Sequence, residues 1–406
     1  MTAAKPQSVI EAAWFYSGEG DPVPNVAIGI ENGIIAEIHQ LTKTKSNLVI
    51  IPPIVNAHTH LELSDVREPF PPGSNFPEWI RKVIAHRRER DGHSEAVRLG
   101  LKEAAMAQTR VIADTVPVEQ FLSEPTPEVS VHGSHTAGIE VIPFVEFIGL
   151  DDERVELAKR QLESLTVHAS LSPHAPYSVH PDLLDCLVRH ARENAMPVMM
   201  HLGETREELQ LLETGTGPFA DMLKAFGVWQ PGLFPGRSVC EYLECLSAAP
   251  RTLIAHGNYF GDQEIDYLAG QPRTSVVYCP RTHRHFGHSE HPWRRMLDKG
   301  IKVILGTDSR ASNPDLSVWR EATTLRSATP DISPRTLLHM MTGSINAEHG
   351  LPRWIRIGQP ARFSRLIAKR TFDDFWQLFE LCEPDRTTAE GAVWKQSENP
   401  RRKPEA

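Results

Sequence analysis

Cysteine is scarce in this chain: five residues in 406, scattered at Cys186, Cys240, Cys245, Cys279 and Cys382. That number and spacing exclude a disulfide framework and a cysteine-rich zinc module. No apolar run approaches the roughly 18–20 residues that a membrane helix needs. The opening stretch, MTAAKPQSVIEAAW, has no long apolar core of the kind a secretion signal carries, so a cytoplasmic, reducing location is expected. Positive charge is in the minority too: 43 lysines and arginines against 52 aspartates and glutamates leave a formal −9. A mildly acidic chain has no broad field for polyanions, so neither nucleic acid nor a membrane surface is an expected partner. The balance of 40% hydrophobic and 23% charged residues excludes wholesale disorder. Histidine is what the chain has in unusual number, at 19.

The first fifty residues read as β-structure. Val26–Glu31 and Ile34–Ile38 flank Asn32-Gly33, a dipeptide suited to the two positive φ angles of a type I′ hairpin. Leu48–Ile51 then runs through Pro52-Pro53 into Ile54-Val55-Asn56. From there short apolar runs alternate with helical patterns. Strand character recurs at 111–113, 140–147, 167–171, 197–200, 252–255, 275–278 and 301–305, which makes eight with the run ending at Asn56. Between Asn75 and Arg90, Phe76, Trp79, Ile80, Val83, Ile84 and Arg87 follow helical spacing, with Asn75 and Glu78 placed as a capping box. Segments 153–165, 181–194 and 333–349 read similarly.

Eight β-runs separated by helices predict an α/β protein whose core is a (β/α)8 TIM-type barrel. The expected divisions are 1–52 and 351–395 as the two parts of a small β-sandwich domain, 53–350 as the barrel, and 396–406 as a frayed tail. Within the second part, 361–369 is a returning strand and 372–382 a helix.

His58-Thr59-His60 directly follows the first barrel strand. Residues i and i+2 of a strand share a face, so both imidazoles can point at one spot, as metal chemistry wants. Alone the pair is weak, because HxH arises readily in a histidine-rich chain. Three more residues sit at equivalent places: His201, His256 and Asp308 each end or follow a barrel strand. Strand ends of a β/α barrel converge on one mouth. Together they form the constellation of a metal-dependent hydrolase.

Val55-Asn-Ala-His-Thr-His-Leu-Glu-Leu, Ser172-Pro-His-Ala-Pro-Tyr, His201-Leu-Gly-Glu-Thr, Ala255-His-Gly-Asn-Tyr, Cys279-Pro-Arg and Gly306-Thr-Asp-Ser-Arg-Ala-Ser-Asn occur in order. This set resembles the amidohydrolase superfamily, in the branch holding triazine hydrolases, cytosine and guanine deaminases and nucleoside deaminases. The resemblance implies one divalent ion, zinc or iron, on His58, His60, His201 and Asp308, with His256 at its edge. The fourth strand carries no lysine of the kind that bridges two metals, which favours a single ion. It also implies hydrolytic deamination, in which a metal-activated hydroxide attacks an amine-bearing ring carbon and ammonia leaves. Asp308 would shuttle the water's proton and Glu204 would protonate the ring nitrogen. Three alternatives stay open: a triazine or chloro-hydrolase, another cyclic C–N hydrolase, or a non-catalytic barrel scaffold.

Each role has a plainer counterpart. Glu204 could be a solvated helix-start residue. His174 could contact substrate or brace a loop. Glu146, inside an apolar strand, could meet substrate or pair with an arginine. His283, His285, His288 and His291 could suggest a second metal, although a polar loop at the barrel mouth explains them better. Arg281 could touch substrate from that loop. The helix around Trp79 resembles the corresponding stretch of aminofutalosine deaminases, which favours a 6-aminopurine nucleoside as the small heterocyclic substrate. A carboxylate on such a substrate would call for Arg81, Arg281 or Arg310. A homodimer is left open.

Overall fold

The structure is a computed structural model that describes residues 7–90, 92–123, 138–165, 169–343 and 354–388. His168, the tail at 396–406 and the end of the helix expected over 333–349 lie outside these residues.

The chain opens with β1 (Ser8–Phe15), β2 (Val23–Glu31), β3 (Ile34–Gln40) and β4 (Leu48–Ile51). Asn32 and Gly33 take φ values of 50° and 77°, the turn anticipated for the β2–β3 hairpin. Eight parallel strands follow: β5 (Ile54–Thr59), β6 (Thr109–Pro117), β7 (Glu140–Phe147), β8 (Ser170–Pro173), β9 (Val198–Leu202), β10 (Thr252–His256), β11 (Thr274–Tyr278) and β12 (Lys302–Leu305). They pair in sequence order as one sheet, with helices between them, and the fold class is the TIM-type barrel. Closure runs through the turn after β12. The N–H groups of Thr307 and Asp308 donate to His58 O at 3.1 and 3.0 Å, and the Asn56 and Thr307 side chains join at 2.8 Å.

Alternate residues fill the barrel interior, among them Val55, Ala57, Val111, Ala113, Phe144, Met199, Leu253 and Val277. Period-two alternation demands this arrangement, and at about 25 cal/mol per Å² the buried apolar layer supplies much of the barrel's stability.

β13 (Ser364–Ala368) returns to the first four strands, and β14 (Cys382–Pro384) pairs with it. The result is one six-stranded sheet in the order β14-β13-β4-β1-β2-β3. A helix was expected over 372–382. Instead there is a 3-10 turn at Phe375–Gln377, a single helical turn at Leu378–Leu381, and then β14. Phe375 and Leu378 are held in the core by Tyr16 and its neighbours, and that packing overrides local helix preference.

α1 (Phe76–Glu89) matches the expected helix, and Asn75 caps it by accepting the Glu78 N–H at 3.1 Å. The capping box does not close, because the Glu78 carboxylate takes the Ser74 N–H and hydroxyl instead. No helix among the described residues is long and apolar enough to cross a membrane.

Candidate active site

The barrel mouth gathers the histidines anticipated from the strand ends. Between Asn56 and Thr59 the β5–β6 register slips by one residue, a bulge. Val55 and Ala57 face the interior below it, and the extra residue flips the parity so that His58 and His60 face inward above it. Their ring centroids are 5.0 Å apart, and the His201 ring lies 4.8 Å from His58 and 5.4 Å from His60. His60 Nε2 and His201 Nε2 approach to 3.4 Å. Asp308 Oδ1 sits 3.8 Å from Nε2 of both His58 and His60. His256 Nε2 lies 3.4 Å from Glu204 Oε1.

His201, His58 and Asp308 are aimed by partners behind them. His201 Nδ1 bonds His174 O at 2.9 Å, and His58 Nδ1 meets Met199 Sδ at 3.2 Å and Thr115 Oγ1 at 3.4 Å. Asp308 Oδ1 accepts the Ser309 N–H at 2.7 Å, and its Oδ2 accepts the Ser312 hydroxyl at 3.0 Å. Such outer partners fix tautomer and orientation.

Burial sets the charge states. Desolvation, reinforced by neighbouring imidazoles, holds His58, His60 and His256 far below the usual imidazole range, and His201 falls to about 4. Neutral imidazole is the form that ligates. Desolvation raises Asp308 to about 6. Desolvation and then the Asp308 charge raise Glu204 well above the carboxylate range, which favours its proton-carrying form.

The residues present fit a divalent cation. His58 Nε2 and His256 Nε2 are buried without a hydrogen-bond partner, a cost that a metal would remove. Ligand atoms of His58, His60 and Asp308 fall within 4.8 Å of one another, as do those of His58, His201 and His256.

Above the cluster lies a cavity of about 230 Å³, walled mainly by apolar side chains of α1 and of the segment around Met222–Val228. Trp79 lines it, with its indole N–H on Ala311 O at 3.2 Å, and so does His174. Glu146 is buried behind His174, 3.9 Å from its Nε2, and does not reach the cavity surface. Arg281 does not reach it either. Its guanidinium is consumed by Asp315 at 2.9 Å and Glu321 at 3.1 Å, so it braces the loop behind Asp308 rather than touching the cavity. Arg310 ties down the carbonyls of Val66 and Arg67, and Arg81 stacks over Phe226.

The four-histidine loop is likewise fastened piecewise. His285 bonds Phe70 O, His288 the Tyr259 hydroxyl and His291 His256 O, and among the described residues these rings form no ligand group.

Several residues escaped sequence reasoning. Glu208 accepts the N–H groups of Gly203 and Glu204 at 2.8 and 2.9 Å, and Asn258 donates to Glu204 O at 2.9 Å, clamping Glu204 from both sides. Thr205 and Glu208 have capping-box spacing, a signal that was readable. Arg87 and Arg154 are the arginines that do line the cavity. A charge on the apolar face of α1 pointed to the first, and nothing local pointed to the second.

The model of the amidohydrolase family matches residues 49–352, most of the chain. The protein belongs to the amidohydrolase family. As an amidohydrolase it is a metal-dependent hydrolase of carbon–nitrogen bonds. The chain is 27% identical over 330 residues to a 5-methylthioadenosine/S-adenosylhomocysteine deaminase of Pyrococcus furiosus, covering 77% of this chain and 73% of that one. It is 29% identical over 312 residues to an aminodeoxyfutalosine deaminase of Deinococcus radiodurans, covering 72% of each. Among solved amidohydrolase-like structures, Helicobacter pylori aminofutalosine deaminase with methylthio-coformycin superposes at a TM-score of 0.73, with 17% identity over 96% of this chain and 97% of that one. A zinc-bound adenosine deaminase from Xanthomonas campestris gives 0.66, with 16% identity over 96% and 91%.

Proposed function

We propose that this amidohydrolase is a hydrolytic deaminase that releases ammonia from a 6-aminopurine nucleoside of the aminofutalosine or adenosine type. The observation that carries the reading is Glu204: a buried carboxyl 3.4 Å from His256, its pKa raised by desolvation, in one cluster with Asp308 at the foot of an apolar cavity. Amine loss from a heterocycle needs such an acid, because attack on the ring carbon puts electrons on the adjacent nitrogen. The deaminase names of the sequence relatives support the same substrate class.

In this reading His58, His60, His201 and Asp308 hold one zinc or iron ion. When bound, the ion lowers the pKa of water from about 15.7 towards 7 and so supplies a nucleophile at neutral pH. The chain's own groups do the rest. Glu204 gives its proton to the ring nitrogen next to the reacting carbon. Asp308 accepts the water's proton and returns it to the departing nitrogen. Neutral His256 orients the reacting centre through Nε2, and His174 offers a contact to the ligand. Trp79 and the apolar wall exclude bulk water. As the oxo compound forms, the adduct's remaining hydroxyl proton returns to Glu204 and restores it.

The division into a barrel at 53–350 and a terminal β-domain belongs to the same proposal. So does a cytoplasmic location, with which five free cysteines agree. The test is a panel of heterocyclic amines offered to metal-loaded protein. Ammonia release fastest from a 6-aminopurine nucleoside is expected, and turnover confined to pyrimidines or triazines refutes the reading.

A further inference from the structure

Arg87 lies on the cavity-facing side of α1, close to His60 and His174, and lines the cavity. Its Nε and Nη2 donate to Glu62 Oε1 at 2.9 and 2.6 Å. Glu62 is only 1% exposed and belongs to the turn that follows His60, and its other oxygen is taken by Arg90. Two of the three guanidinium nitrogens are therefore fixed on a buried anchor. Nη1 has no hydrogen-bond partner among the described residues, and the side chain keeps 30% of its exposure. Because Glu62 and His60 share one turn, the open donor is held next to the reaction centre. Arg154, by contrast, is more than half exposed and engaged with Asp151.

A guanidinium only donates, so its counterpart must be an acceptor. The carboxyl groups lining the cavity are Glu204 and Asp308, both in the reaction centre. An ammonium on the rest of the ligand would meet arginines and, among the described lining residues, no carboxyl group outside the reaction centre.

We infer that Arg87 is a specificity-determining residue whose free donors take an oxygen, hydroxyl or carboxylate, on the substituent carried by the reacting heterocycle. The inference rests on the deaminase reading. Anchoring by Glu62 pre-organises the contact, so little rotamer entropy is lost on binding.

The test compares metal-loaded parent, Arg87→Met and Arg87→Lys by ammonia release. The substrates are adenosine, 2′,3′-dideoxyadenosine, an adenosine with a carboxylate on its 5′ substituent, and 9-methyladenine. In both variants KM for the oxygen-bearing ligand should rise about 10–100-fold with kcat little changed, the size expected for a lost charge-assisted hydrogen bond. kcat/KM for 9-methyladenine should stay within about twofold of the parent, since that ligand offers no such oxygen. Loss abolished on the dideoxy compound identifies the 2′- or 3′-hydroxyl, loss kept there but absent from 9-methyladenine identifies the 5′ oxygen, and loss confined to the carboxylate compound identifies the carboxylate. Arg87→Lys keeps an ion pair with Glu62, so it reports if Arg87→Met fails to fold. Equal losses on all four ligands, or no loss on any, overturn the inference. A parent that releases ammonia from none of them overturns the deaminase reading and the inference with it.

Discussion

Among the described non-glycine residues with positive φ are His256 at 73° and Asp308 at 56°. Such backbone costs on the order of 1–3 kcal/mol per residue and persists only where surroundings over-determine it. Here they do: His291 grips His256 O, and Thr59 donates to Asp308 O. Glu204 is held differently, by Glu208 and Asn258 on its backbone. Glu204→Gln should therefore keep its metal, measured by elemental analysis, while turnover falls about 10²–10⁴-fold, the usual weight of a general acid. The parent's activity should decline as pH rises through the raised Glu204 pKa, because the proton to be donated is then gone. His201→Ala should lose the ion itself, since His201 Nε2 faces His60 Nε2 across 3.4 Å; unchanged metal content in that variant would contradict the assignment.

At the scale of elements, the loop between β12 and the next helix depends on a buried cluster. Glu321 is fully buried and meets Arg281 at 3.1 Å and Asn313 at 2.6 Å, and Asn313 donates to Thr307 O beside Asp308. Arg281→Met should lower stability by about 3–5 kcal/mol, the loss typical when one partner of a buried pair is removed, with little change in KM. Chemical denaturation checks the first and kinetics the second. Burial raises Glu321 to about 7 despite Arg281. The folded state then binds more protons than the unfolded chain between roughly pH 4.5 and 7, so this group's contribution is present below that window and lost across it. Glu321→Gln should flatten the decline. Arg281 also shows what the sequence withholds: an arginine after a barrel strand reads equally as a ligand contact or a loop brace, and only the positions of Asp315 and Glu321 decide. The β5 bulge is a second case. That His58 and His60 share a face was legible from their spacing, but that this face is the inward one depends on a register slip the residues do not announce.

For the molecule as a whole, strand order and the placement of His58, His60, His201, His256 and Asp308 at one mouth were readable, because apolar alternation and strand ends are local signals. The α1 cavity face was readable too. The short helical turn before β14 and the Glu62–Arg87 anchor were not, since both arise from contacts between segments distant in sequence. A barrel that carries neutral, unpartnered imidazoles at its mouth should be stabilised by its ion through linkage, about 2.7 kcal/mol at a free metal concentration 100 times Kd. A chelator should accordingly lower the melting temperature, and zinc or iron should restore it. The central claim is chemical, and ammonia release by the metal-loaded protein tests it most directly. A 6-aminopurine nucleoside should be the fastest substrate, with Glu204→Gln inactive at equal metal content. Turnover on pyrimidines or triazines alone, or a Glu204→Gln variant as fast as the parent, would contradict it.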